Sequence, residues 1–192
     1  LVMDNIFLFN EKKLTEATIF FLLKSPHHTI NILKLMKLLY LSERKSFEKF
    51  YVPLIGDSLV SMKNGPVLSF TLDRINSGSD KKSYWNNYIA DRKNHNISIR
   101  ADSEIHSIDQ LNELSGNDLT VLTEIFDLFG NKTQWELVDY THDHCSEWRD
   151  PGSSMYPIEY KDLFKALNFS DDFSNQIITK LEEQIELNKL NN

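Results

Sequence analysis

Glycine and proline together occupy only 11 of the 192 positions, six and five respectively. Average usage of about 12% would place about 23 in a chain of this length. So few turn-formers leave little material for the tight turns of a many-stranded sandwich or barrel, and the sequence favours long helices. Hydrophobic residues make up 41% and charged residues 26%, ordinary values for a soluble globular protein. Collagen-like, mucin-like and wholly disordered readings are therefore excluded. The length suits one domain, or one domain with a helical appendage.

Periodicity and punctuation place the helices. Leu14 to Leu23 reads as a first helix, stopped at Ser25-Pro26 because the residue before proline is pushed out of the α region. Thr29 or Asn31 can cap a second helix, whose spaced positions Ile32, Leu35, Leu38, Leu39, Ser42, Ser46 and Phe50 run to about Tyr51. Leu59 to Met62 reads as a short extended piece. Asn64-Gly65-Pro66 is a turn signal, with Pro66 able to occupy the first turn of a helix through Val67, Phe70, Thr71 and Ile75. Asn76 to Asp80 closes that helix. Tyr84 to Ile89 is a strand or helix fragment, and Ile97-Ser98-Ile99 a short alternating strand. Ser115 to Asp118 starts a helix that Gly130-Asn131 ends, and Thr133-Gln134-Trp135-Glu136 is a capping box for the next. Asp150 to Ser154 is the clearest linker. Beyond it lie a helix started by Pro157 and Glu159, and a last one capped by Ser170.

The expected architecture is mainly α (α+β): a single compact helical domain with a small β element in the middle and two C-terminal helices. The expected boundaries are 10–150 for the domain and 151–192 for a helical extension packed on it or appended to it. Leu1-Val2 precede Met3, which reads as the natural start.

The net charge of −7 is unevenly spread: residues 1–100 carry 15 Lys/Arg against 9 Asp/Glu, and residues 101–192 carry 6 against 19. The acidic half repels phosphate and would steer a basic partner, while the first half could dock an acidic one. Solvated helix faces explain the same pattern more simply. No run of 18 apolar residues suggests a membrane span, and Ala17 to Leu23 lacks the flanks of a signal peptide.

Chemistry-bearing motifs are sparse. The sequence holds no phosphate-binding glycine loop, nucleophile elbow or H-E-x-x-H pair. His142-Asp143-His144-Cys145 gathers ligand-type residues, but two histidines two positions apart on a helix point about 200° apart, so no metal site is expected. A histidine fixed by hydrogen bonds suits His142 better, and Cys145 reads as a packed or surface thiol. One cysteine excludes an internal disulfide and fits a reducing compartment. Lys34, Lys37, Arg44, Lys45 and Lys49 form a basic stripe, interrupted by Glu43 and Glu48 and lacking the aromatics that stack bases, so nucleic acid is not the expected partner. Tyr84-Trp85-x-x-Tyr88 is a dense aromatic group in polar surroundings. It could anchor a partner or roof the core.

The order of several short motifs resembles one family. Lys34-Leu-Met-Lys37-Leu-Leu-Tyr40-Leu41 is similar to the K-L-x-K-L-L-Y-x-A run of the Panacea domain, also called the SocA-like antitoxin domain. Gly56 to Leu59, Asn64-Gly65-Pro66-Val67, Leu114-Ser115 with Leu119, and Trp135-Glu136-Leu137 followed by Thr141-His142 and Trp148 resemble its later motifs in order and spacing. Glu147 stands where the family usually has proline, and Asp57 follows Gly56 with no proline.

The resemblance implies a non-enzymatic antitoxin, bacterial or prophage-encoded and cytoplasmic, that binds a toxin encoded beside it and needs no cofactor. It also implies an alternative, a proteolytic adaptor that delivers the toxin to an ATP-dependent protease. A DNA-binding autorepressor resting on the second helix and a metal-dependent enzyme resting on His142, His144 and Cys145 stand behind these. Within that frame Tyr40, Gly65, Pro66, His142 and Trp148 are expected to be structural. Tyr84, Trp85 and Tyr88, with Lys34 and Lys37, are the expected partner contacts.

Overall fold

The computed structural model describes residues 4–78 and 82–191. Leu1, Val2 and Met3, and the Ser79-Asp80 end of the third helix's closing signal, lie outside the described residues.

Helix α1 spans Glu11–Leu23, and Asn10 caps it by accepting the Lys13 amide at 3.0 Å. Strand β1 (Thr29–Asn31) leads directly into α2 (Ile32–Phe50), which Asn31 caps through the Lys34 amide. Tyr51 ends α2 in the left-handed conformation with φ 62°. Strands β2 (Leu59–Met62) and β3 (Gly65–Leu68) form a hairpin, followed by α3 (Ser69–Asn76), α4 (Tyr84–Tyr88) and β4 (Asn96–Ser98). Then come α5 (Gly116–Phe129) and α6 (Gln134–His144), the two-residue strand β5 (Tyr156–Pro157), α7 (Tyr160–Ala166) and α8 (Asp171–Leu190). The fold is mainly α with a small β element, as the scarcity of turn-formers suggests. No helix among the described residues is long and apolar enough to cross a membrane.

Helix α2 is the axis of the fold, and α1, α5, α6 and β3 pack around it. Its apolar face (Leu35, Leu38, Leu39, Ser42 and Ser46) is buried at the expected spacing. Met36, Lys37, Tyr40, Leu41 and Glu43, on the other sides, are buried too. A helix covered nearly all round must bury its charged residues, and each then requires a partner.

There are two small sheets among the described residues. One pairs β1 with β4, and the other runs β3-β2-β5. The segment after the Asp150 linker thus returns to the middle of the chain: Val60 pairs with Pro157 and Ser61 with Tyr156. Helices α7 and α8 pack on each other beyond it.

One expectation is corrected here. Gly65-Pro66 does not turn a strand into a helix. It opens β3, with Met62 paired to Gly65 and Ser61 to Pro66. The helix waits until Ser69, because the donors at its start are satisfied there. The Asp57 carboxylate accepts the amides of Phe70 at 2.8 Å and Thr71 at 2.9 Å, along with the Thr71 hydroxyl.

Candidate functional site

Most of the family-like motif residues, far apart in the sequence, meet along one polar seam. Lys37, Tyr40 and Arg44 lie three and four positions apart, so one side of α2 presents all three. The Lys37 ammonium, fully buried, donates to the Pro66 carbonyl at 2.8 Å. The Tyr40 hydroxyl and the Arg44 Nε both donate to Glu147 Oε1 at 2.8 Å. Trp148 Nε1 donates to the Met62 carbonyl at 2.9 Å, and the His142 ring stacks on the Trp148 indole with centroids 4.0 Å apart. The end of α6 is thereby tied to the hairpin turn.

Gly65 lies at the closest point of this seam. Its φ is +98°, a region that side chains disfavour. A Cβ there would meet Thr141 Oγ1 at 2.7 Å and Lys37 Nζ at 2.9 Å. Backbone conformation and crowding both require glycine.

Burial sets the electrostatics. Loss of solvent pushes the Lys37 ammonium down to about 7. Burial, reinforced by the Glu147 charge, pushes the Cys145 thiol up to about 12, so it stays protonated and is no nucleophile at neutral pH. Burial also raises the Glu43 carboxyl to about 7, against the pull of three backbone amides, those of Leu54, Ile55 and Gly56, that donate to it. Asp57 rises to about 6 for the same first cause. Each of these acids binds a stretch of backbone and so fixes the loop between α2 and β2. Chemically, the seam holds four elements in register; its charged groups are turned towards protein.

The expected partner contacts fare differently. Lys37 and Trp85 are buried, with Trp85 2% exposed, so neither offers a surface to a partner, and both are corrected to interior positions. Trp85 is enclosed because α4 packs against α1. Tyr84 and Tyr88 are half-buried and meet edge-on at 5.1 Å, and the Tyr84 hydroxyl donates to Glu16. Lys34, also half-buried, donates to the Gly130 carbonyl at 2.6 Å and so ties α2 to the end of α5. Of these five, only Lys37 reaches the seam, through the Pro66 carbonyl and the close approach of Gly65; Tyr84, Trp85, Tyr88 and Lys34 make their contacts elsewhere. His142 also differs from expectation: it is held by stacking, and its buried Nε2 has no hydrogen-bond partner among the described residues. No group of three His, Cys, Asp or Glu side chains placed to hold a metal occurs among the described residues.

Sequence reasoning passed over the opposite side of the hairpin. A groove of about 490 Å³ runs between the start of α2, the turn of the β2–β3 hairpin, the Arg92–His95 loop and the start of α6. Leu33, Met36, Met62 and Trp135 line it. Trp135 is 58% exposed. The signal was present: Trp135 sits two residues before Leu137, hence about 200° away from the Leu137/Thr141 face that α6 buries.

Comparison with known protein families finds a match. The family described as antitoxin SocA-like, Panacea domain, matches residues 35–149. That span runs from the first turn of α2 to the residue after Trp148, and so contains the whole polar seam. No curated protein and no solved structure matches the chain.

Proposed function

The chain belongs to the antitoxin SocA-like, Panacea domain family, and on that premise we propose that it silences a toxin encoded by a neighbouring gene by binding it directly, without turnover and inside the cell. The observation that carries this reading is the match itself, spanning residues 35–149. The seam supports it. Four side chains capable of chemistry, Lys37, Glu43, Cys145 and Glu147, are buried in the protein interior. Such an interior suits a rigid binding module, whose working surface is its outside.

Co-expression tests the reading. The neighbouring gene's product alone should arrest growth, and this chain should restore it while forming a complex that co-purifies at fixed stoichiometry. A neighbouring product that is harmless alone, or still lethal beside this chain, rules the antitoxin role out. Following the toxin by immunoblot separates two modes: direct neutralisation leaves its level unchanged, whereas delivery to a protease removes it.

A further inference from the structure

We propose that the groove beside the β2–β3 hairpin is where the toxin binds, and that it receives an apolar segment of the toxin carrying carboxylates. The proposal rests on the antitoxin reading and adds to it a surface and a partner chemistry.

The first ground is the shape and lining of the groove. It is a trough of about 490 Å³ lined by Leu33, Met36 and Met62. Flexible methionine side chains let such a floor adapt to more than one apolar surface. Trp135 forms one wall and is 58% exposed. Its helix does not need it there, because the start of α6 is already closed by the Thr133–Glu136 capping box at 2.7 and 3.2 Å. The indole has no hydrogen bond or ring partner among the described residues. An unengaged tryptophan beside an apolar floor is the arrangement that anchors protein partners.

Charge is the second ground. Lys63 and Arg92 line the groove, and no Asp or Glu does. The rim is therefore cationic on a chain whose net charge is −7. Neither residue has an ion-pair partner among the described residues. Arg92 is nonetheless held in place, donating to Asn76 Oδ1 at 2.6 Å and to the Asn94 carbonyl at 3.0 Å. Those acceptors are neutral and hold the guanidinium without pairing its charge. A pre-positioned guanidinium and an exposed lysine beside an apolar floor favour a segment whose apolar residues alternate with carboxylates.

The test uses the full chain and an inactivated form of the neighbouring gene's product, with affinity measured by calorimetry and folding followed by melting temperature. Trp135→Ala, and separately Lys63→Glu with Arg92→Glu, should each weaken binding about 30-fold or more. Both sets of positions are exposed, so the melting temperature should hold. The control pair Leu187→Ala with Leu190→Ala, on the far end of α8, should bind as the unaltered chain does. If both groove variants bind normally while the unaltered chain neutralises the toxin, the groove assignment is wrong and the antitoxin reading stands. A neighbouring product that the unaltered chain does not bind overturns both. Self-association of the chain that disappears with Trp135→Ala, without loss of toxin binding, would assign the groove to a second copy and overturn the proposal.

Discussion

The short helix around Trp85 and the start of α6 around Trp135 both set a tryptophan among polar neighbours, and they place it in opposite ways. At α4 the ring turns inward: α1 packs against the helix, Ile89 one turn on is buried too, and the flanking tyrosines are half-buried and meet edge-on. At α6 the ring turns outward, because Leu137, Val138 and Thr141 already supply the buried face. Aromatic density therefore does not tell where a ring goes. What decides is whether the helix that carries it has another face to bury.

Truncating the two rings should separate these situations sharply. Trp85→Ala should cost about 3–5 kcal/mol of stability by leaving a cavity, read as a lower urea midpoint. Any loss of neutralisation should follow the unfolded fraction only. A midpoint equal to that of the unaltered chain would mean that α4 does not seal the core.

The hairpin lies between the interior and the outer groove, so damaging it should affect both. Gly65→Ala forces a side chain into a positive-φ position against Thr141 and Lys37. It should lose about 2 kcal/mol or more and also weaken toxin binding, because Met62 and Lys63 shift with the turn. Full stability would show that the seam can relax around a methyl group.

The buried side of the hairpin should also be visible in the pH dependence. The folded-state value of Lys37 is about 7, against an ordinary 10.5. Between these values the unfolded chain holds a proton that the folded chain has lost, so the Lys37 contribution to stability rises with pH across that window and is flat below it. Denaturation at pH 7.5 and 9.5 should show a gain that Lys37→Met lacks. Equal gains in the two proteins would place the ammonium in contact with water.

The smallest expected effect belongs to the outward ring. Trp135→Ala should change stability by less than about 0.5 kcal/mol while removing the iodide-quenchable share of the tryptophan fluorescence. Quenching that survives the substitution would assign the exposed emission to Trp148.

Much of the fold was legible because its signals are local. Ser115, Thr133 and Ser170 each cap the helix that their neighbours suggest, since a cap needs only residues within one turn. Pro66 misled because a proline after a turn suits a helix start and a strand start equally, and the deciding partner, Asp57, lies nine residues earlier. Lys37, expected as a partner contact, and Glu43, expected to interrupt a basic stripe, are both buried. A 3.6-residue period reveals one buried face, not that a second layer of structure will cover the other. The two departures from the family pattern, Asp57 and Glu147, are both buried acids that hold long-range contacts, with Phe70 and Thr71 in one case and Tyr40 and Arg44 in the other.

The edge of β2 that β3 leaves free is covered by residues 156–158, through the Val60 and Ser61 pairings and the Ile158 amide. Val60 and Pro157 stand 97 residues apart. On a ribosome adding about 5–20 residues per second, the edge waits roughly 5–20 s for its partner. During that interval β3 can pack on α2, but β2 leaves one row of backbone donors and acceptors open to any passing strand. A strand encoded in the first third of the chain is therefore among the last to close, since its second neighbour is made 97 residues later.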